Sequence, residues 1–553
     1  MKKLLIPVPY LNRLVISALL ALFGGLLAPL VAEAQTFPTA DYFRRMRYHS
    51  PASLPAPEGL RDRVVDGKLR LSLRDTIELV LANNTDVQIN RLAYEQTRYS
   101  LLRSYSAFDP LFTASFDTRR STTPTSSQLE GAAVSSSLSQ QTNLSWSQTF
   151  QTGTRFSINF SGSKSATNSI FSTFNPSINS ALSFNLSQPL LRNRWLFANR
   201  APIVIAQRGR NQSRANFEVQ VTSALASAIE QYWGVVQARE NLKVLRKSLE
   251  QAEATYKQNK RALELGALPP LDIYRSESQV ASRRVAVIQA EYQLRQLEDD
   301  FRRTIGADLD PYFRALDLEL IESPETPEEL AVVDPQEALE RALQRRPELV
   351  ALREQLAADD TSVRLAHNNL QPDLGLTAFY SSSGRGGNAI DTSTSPPTII
   401  SRGGFVESFE QLGSFDFPSY GFSLQLRLPI RNRGAQADLG NALVGQRRTQ
   451  FQFRRAEQGV TLDVRNAINQ LEQAKLSMAA ARIARDLAQK NLEAEQRKYE
   501  LGVQTIFFVL DAQTQLAQAE QDLLRSQISY QRALTALDRA TGQLLERNQV
   551  RIE

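Results

Sequence analysis

One stretch of this chain occurs twice, and the repeat constrains the fold more than any other feature. A helical pattern turns at Leu265-Gly266, runs back and stops at Ile305-Gly306; the same pattern turns at Leu501-Gly502 and stops at Thr541-Gly542. From turn to stop the copies keep one offset of 236 residues without a gap, the mark of an internal duplication. A second offset, 262, aligns the segments further upstream, Leu81 with Leu343, Thr85 with Pro347 and Pro110 with Pro372. The chain reads as two helix–strand–helix units, 71–306 and 336–545, joined by an acidic, proline-containing linker at 307–335. An irregular tail at 35–70 precedes them, and a short tail at 546–553 follows.

The helical stretches are long. Pro202 to Leu265 is 64 residues and Gly434 to Leu501 is 68; at ~1.5 Å per residue each makes a rod of roughly 100 Å. The return limbs, Pro270 to Thr304 and Ile506 to Ala540, are about half as long. Stretches near 75–107 and 337–369 supply the other half, so each unit can pair one long rod with two short ones end to end. Asn83-Asn84-Thr85-Asp86 interrupts the first of these, with Asn84 or Thr85 available to cap a restarted helix. Leu242, Leu245, Leu249, Ala252 and Tyr256 step by three and four, as do Val287, Ala290, Leu294, Leu297, Phe301 and Thr304. The mixture of large and small residues suits helices with neighbours on both sides, as in the wall of a cylinder, better than an ordinary coiled coil.

Between the helices the period changes from helical to two. Leu144 and Trp146, then Phe156, Ile158 and Phe160, then Leu182, Phe184 and Leu186 alternate with Ser, Thr and Asn. The second unit repeats this in Leu374 to Tyr380 and in Tyr420 to Leu428. Such alternation makes strands with one apolar and one polar face. The strand groups fall at 111–189 and 373–429: four segments in the first, near 111–120, 140–151, 154–163 and 180–189, and two in the second. Residues 121–139, 164–179 and the Gly/Ser-rich 381–418 read as loops. A polar row of Ser, Asn, Gln and Arg suits a water-filled barrel better than the packed core of a soluble sandwich.

Residues 1–34 read as a secretory signal: Lys2 and Lys3, an apolar run from Leu14 to Ala32, and Ala32-Glu33-Ala34 at the cleavage point. The alternative is an uncleaved anchor, since the apolar run approaches the ~20 residues that span a bilayer. The chain has no cysteine, and only two histidines, His49 and His367. Thiolate and imidazole chemistry therefore lack raw material, and neither a metal site nor a cofactor is expected. The net charge of +6 falls to +4 without the leader, too small and dispersed for a nucleic-acid partner. No nucleophile motif or phosphate loop points to an enzyme.

In this order the features resemble the TolC-like outer-membrane efflux protein family. They are the leader, the duplicated unit, the strand exits Gln188-Pro189-Leu190 and Leu428-Pro429-Ile430, and the turns LELGALPPLDIYRSESQ and YELGVQTIFFVLDAQTQLAQAE. The resemblance covers nearly all of 71–545. It implies an α+β membrane protein: a homotrimer whose strands form one outer-membrane β-barrel, continued by a long periplasmic α-helical barrel. It implies an export duct for efflux or type I secretion, joined to an inner-membrane transporter through a periplasmic adaptor protein. The alternative is a structural envelope protein with a barrel anchor and a periplasmic coiled coil.

The family's gate lies at the helical turns. By position it implies Asp511, Tyr499 and Asp272 as gate residues. Two positions depart from the familiar pattern: Phe508 stands where a further aspartate is expected, and Gln504 where a pairing arginine is expected. The resemblance thus implies a closed state held by apolar packing of Phe508 more than by salt bridges. The turns Leu265-Gly266 and Leu501-Gly502 fall where the family docks its adaptor. The hairpin near 140–163 is additional: inside the barrel it gives six strands per chain instead of four, outside it is a surface loop, and its clean alternation favours the barrel.

Overall fold

The computed structural model describes residues 54–124, 133–265, 270–324, 332–394, 398–501 and 503–550. Its spine is two long helices. The first, α3, spans Trp195–Glu264, after α1 (Leu73–Asn83) and α2 (Thr85–Tyr105). Its return limb, α4, is Pro270–Thr304. A single-turn helix, α5 (Pro311–Arg314), leads towards the second half. There α6 (Pro335–Arg345) and α7 (Pro347–Asn368) precede the strands. After a short α8, Phe405–Ser414, the second long helix, α9, is Arg433–Glu500. Its return limb, α10, is Ile506–Ala540, and α11, Leu544–Arg547, is the last described helix. Among the described residues no helix is long and apolar enough to cross a membrane.

Each short helix pair is broken at one residue, and the two breaks are equivalent. Asn84 caps α2, its Oδ1 accepting from the amides of Asp86 and Val87 at 3.0 and 3.2 Å. Its Nδ2 donates to the Thr304 carbonyl at 3.0 Å, closing the end of α4. Arg346, 262 residues later, donates from Nη1 to the Ala540 carbonyl at the end of α10, at 3.5 Å. Two side chains of different chemistry thus satisfy the same orphan acceptor of a helix C-terminus. Just beyond each, Gly306 and Gly542 take φ of 76° and 72°, the left-handed turn that ends a helix.

The main hydrophobic core lies at these breaks. Leu225, Tyr232 and Phe301 are fully buried with Leu69 and Leu71 of a small sheet. That sheet joins β1 (Val64–Val65), β2 (Lys68–Leu71) and β7 (Asp317–Leu320). Each such side chain removed from water contributes about 1.5–3 kcal/mol. Residues 64–65 and 68–70, expected in an irregular tail, are strand, and Val64 and Leu69 among them pack into this core. The Tyr232 hydroxyl donates to the Glu322 carboxylate; burial and then that bond raise its pKa. A smaller core around Val464, Leu471, Tyr530 and Leu537 serves the second half.

The remaining strands form one sheet. Its path runs β10 (Pro418–Arg427), β8 (Asp373–Asp391), β6 (Phe174–Pro189), β5 (Arg155–Thr167), β4 (Val134–Thr149), β3 (Leu111–Pro124), with β9 (Thr398–Ser401) against β8. The 140–163 hairpin is therefore part of the sheet, in register with both neighbours. Three expected loops are corrected. Strands extend over 121–124, 134–139, 164–167 and 174–179, and 381–418 holds the outer half of β8, β9 and α8. Pro202 does not begin its helix: α3 starts at Trp195 and carries Pro202 inside.

The glycines of 384–387 misled the loop reading because their job is spacing. A Cβ on Gly384 would stand 1.9 Å from the Ser408 carbonyl oxygen, and one on Gly386 2.0 Å from that of Gly404. Their absence lets α8 lie directly on the sheet. Ser180 meets Ser408 at 2.6 Å, Ser382 donates to the Leu412 carbonyl at 3.2 Å, and Phe409 stacks on Phe160 at 5.8 Å.

Candidate functional site

Two regions are candidates: the tip where the helical hairpins turn, and the polar face of the sheet. At the tip, Leu265 and Leu501 are 84% and 78% exposed. Gly266 and Gly502 lie outside the described residues, as does the side chain of Asp272. Phe508 sits one turn into α10, 45% exposed, with its ring edge-on to Phe507 at 5.5 Å. Its neighbours Ile506 and Val509 point inward with Leu492. Asp511 is exposed and accepts from Gln515 Nε2 at 2.7 Å, with no cationic partner among the described residues. Gln504 is half-buried; its Oε1 is buried without a hydrogen-bond partner in the structure.

Tyr499 does something the sequence reading did not assign. In the last turn of α9, its hydroxyl donates to Asn259 Oδ1 of α3 at 3.4 Å. Asn259, 1% exposed, donates in turn to Ser276 Oγ of α4 at 2.6 Å, and Ser276 is equally buried. This chain ties the second hairpin to the first close to the tip. Further along, Arg283 and Gln279 of α4 donate to Thr514 Oγ1 of α10 at 2.8 and 3.2 Å, and burial lowers the Arg283 pKa. Lys247 reaches Glu520 at 3.0 Å. The bonds between hairpins thus mix neutral pairs with two that carry a cation, each a single side-chain contact that water can replace one at a time.

The sheet separates its chemistry by face. Register pairs put Phe112, Trp146, Ile158, Phe184, Tyr380 and Tyr420 in one row across six strands. The next row, on the opposite face, is Thr113, Ser145, Asn159, Ser183, Ser381 and Ser419. Where the polar face meets the helices it forms a cavity of about 470 Å³.

A family model described as outer membrane efflux protein matches residues 76–307 and again 338–543. The chain belongs to the outer membrane efflux protein family. The family's place, the outer membrane, is therefore this chain's place. The pyoverdine export outer membrane protein OpmQ of Pseudomonas aeruginosa is 24% identical over 335 residues, 60% of this chain and 62% of its own length. The protein of the same name in Pseudomonas putida is 28% identical over 208 residues, 36% of this chain and 38% of its own. The chain thus matches less than two thirds of each relative's length. Among solved structures, the outer-membrane channel OprN superposes with a TM-score of 0.61 at 15% identity, covering 90% of this chain and 98% of that one. The CmeC channel of Campylobacter jejuni gives 0.59 at 16%, covering 90% of each. At these identities the likeness is one of fold.

Set in that family, the bonded tip residues Asn259 and Ser276 are the ones the sequence reading missed. A signal existed for both. Asn259 continues the three–four series of Leu242 to Tyr256, where an apolar residue is due. Ser276 continues the series of Val287 backwards through Arg283 and Val280. A polar residue on a seam position needs a partner.

Proposed function

We propose that this chain is the outer-membrane channel of a trans-envelope efflux assembly: a passive homotrimeric duct reaching into the periplasm, fed by an inner-membrane transporter through a periplasmic adaptor. One observation carries the reading furthest. The six-strand path ends at β3 and β10, whose residues are almost all exposed and whose outer edges pair with nothing among the described residues. A sheet with one apolar and one polar face and two open edges closes by adding copies of itself. Three copies give eighteen strands, a lipid-facing aromatic exterior and a hydroxyl-lined bore. Two flanks of exposed apolar residues support the same assembly: Val444, Phe451, Leu476 and Ile483 on α9, and Ile89, Leu92, Val285 and Ile288 on α2 and α4.

Repeated units 71–306 and 336–545 would then arise from one duplicated ancestor, each giving strands to the barrel and rods to the duct. At the tip, three copies of Asp511 around the axis form a ring that attracts cations and repels anions. Phe508, exposed in the single chain, packs against its copies to close the bore, with Tyr499–Asn259 holding the hairpins together. The protruding Leu265 and Leu501 are the adaptor's footholds.

Imaging of the protein extracted from outer membranes, paired with conductance in planar bilayers, tests this. A three-fold tube with an eighteen-strand barrel and ion conductance is expected. A monomer, or a particle without a through-channel, overturns it. In the conducting pore, Asp511→Asn should reduce cation selectivity; unchanged selectivity rejects the ring.

A further inference from the structure

Resting on the duct reading, the unassigned feature that the observations carry furthest is the base of the bore. We infer that the polar face of the sheet, where it joins the helices, is an anion-binding station that takes carboxylate- or phosphate-bearing solutes in transit. Arg155, Arg192 and Arg427 line the cavity of about 470 Å³ there, with Asp373, Gln425 and Asn199. Register fixes two of them independently of the cavity. Arg155 lies in the row Thr149, Arg155, Ser187, Thr377, Ser423, and Arg427 lies two rows nearer the helices on the same face.

The guanidiniums are unspent. None of the three makes an ion pair or a side-chain hydrogen bond among the described residues, although Arg427 has Asp373 as its register partner. Arginines that served the fold would be bonded, as Arg346 is to Glu348 and Asp463. The rest of the face agrees in sign. The paired rows from Leu111 to Arg427 place Asp117, Arg119, Arg155, Asp373, Arg385 and Arg427 on it, four cations against two anions.

A planar guanidinium with five donors matches a carboxylate or phosphate edge. In a wet bore such contacts are weak and screened by salt, as a station must be if cargo is to leave it. The proposed Asp511 ring has the opposite sign at the other end, so it filters entry while the arginines act on solutes already inside.

The test uses the wild-type trimer in planar bilayers, with inorganic pyrophosphate added on the barrel side. Interrupted current at about 0.05 M KCl, fading at about 0.5 M, is expected from screening. The triple variant Arg155→Gln, Arg192→Gln, Arg427→Gln should conduct normally, showing that it folds. It should bind pyrophosphate about tenfold more weakly, as three exposed charge contacts are removed. Asp511→Asn should keep the wild-type block. Equal block in wild type and triple variant, or none in either, overturns the station. A wild-type protein that does not conduct at all overturns the duct reading instead.

Discussion

The two helical hairpins have return limbs of the same length, 35 residues each, yet they occupy different positions. The first long helix, α3, packs against α2, α4, α7 and α10, and its residues from Ala215 to Val236 are largely buried in the single chain. The second, α9, packs mainly against α7 and α10 and leaves Val444 70% and Leu476 72% exposed. The same local pattern thus builds a centre in one case and a rim in the other. Local periodicity decides that a helix forms; the number of its neighbours decides what the exposed apolar residues are for. Buried apolar residues such as Leu225 on α3 hold the chain together, as Val464 and Leu471 do on α9; the exposed ones on α9 are those that the proposed trimer would cover.

The sharpest way to break this comparison is to shorten one side chain in each place. Phe301→Ala removes a fully buried ring that packs edge-on against Tyr232 and should cost about 3–5 kcal/mol. That loss would appear as a lower temperature for the collapse of helical circular dichroism. Phe451→Ala, on the rim, should leave the single chain's helicity intact and lower only the temperature at which the proposed trimer dissociates. If both variants lose helicity alike, the centre–rim distinction fails.

A middle-sized effect sharpens it at the breaks. Burial pushes the Glu348 carboxyl up, and the hydrogen bond and charge of Arg346 more than reverse this, leaving it below its ordinary 4.5. A lowered folded value contributes stability above the unfolded value and loses it as the pH falls through the folded one. Arg346→Ala should therefore destabilise by about 1–3 kcal/mol at neutral pH, partners being only partly buried. The gap to wild type should narrow on acidification below the ordinary glutamate range. Asn84→Ala, the equivalent neutral donor, should cost about 1 kcal/mol, with no such pH dependence in thermal melts. The smallest contrast is between the two helix-ending glycines. Gly542→Ala meets only the left-handed penalty of about 1–2 kcal/mol, its nearest atom being 3.5 Å from the new Cβ. Gly306→Ala must also displace Asn83, whose Cβ would stand at 2.6 Å, and should melt lower still.

What could be read from residues alone follows from these same forces. The return limbs were legible because Pro270 and the left-handed glycines bracket one helical pattern. The start of α3 was not, because Pro202 resembles a first-turn proline, whereas tertiary packing carries the helix back past it. Strand ends such as Val134 to Ser139 were illegible because serine on both faces carries no alternation; pairing with β3 makes them strand. At the tip, Tyr499 could be singled out, but its partner could not, since Asn259 reaches it only through a contact 240 residues away.

The helix laid across the outer half of the sheet has a mechanical consequence. Strands that are free on their outer surface can shear past one another and let a hoop widen. Here α8 bonds to β6 through Ser180 and to β8 through Ser382, a splint across two staves. Any slip of β6 against β8 would break at least one of these bonds, since α8 cannot follow both strands. In the proposed barrel this stiffens the hoop at its outer rim, so dilation for a bulky solute falls to the opposite end, where a few side-chain hydrogen bonds and the Lys247–Glu520 pair tie the hairpins.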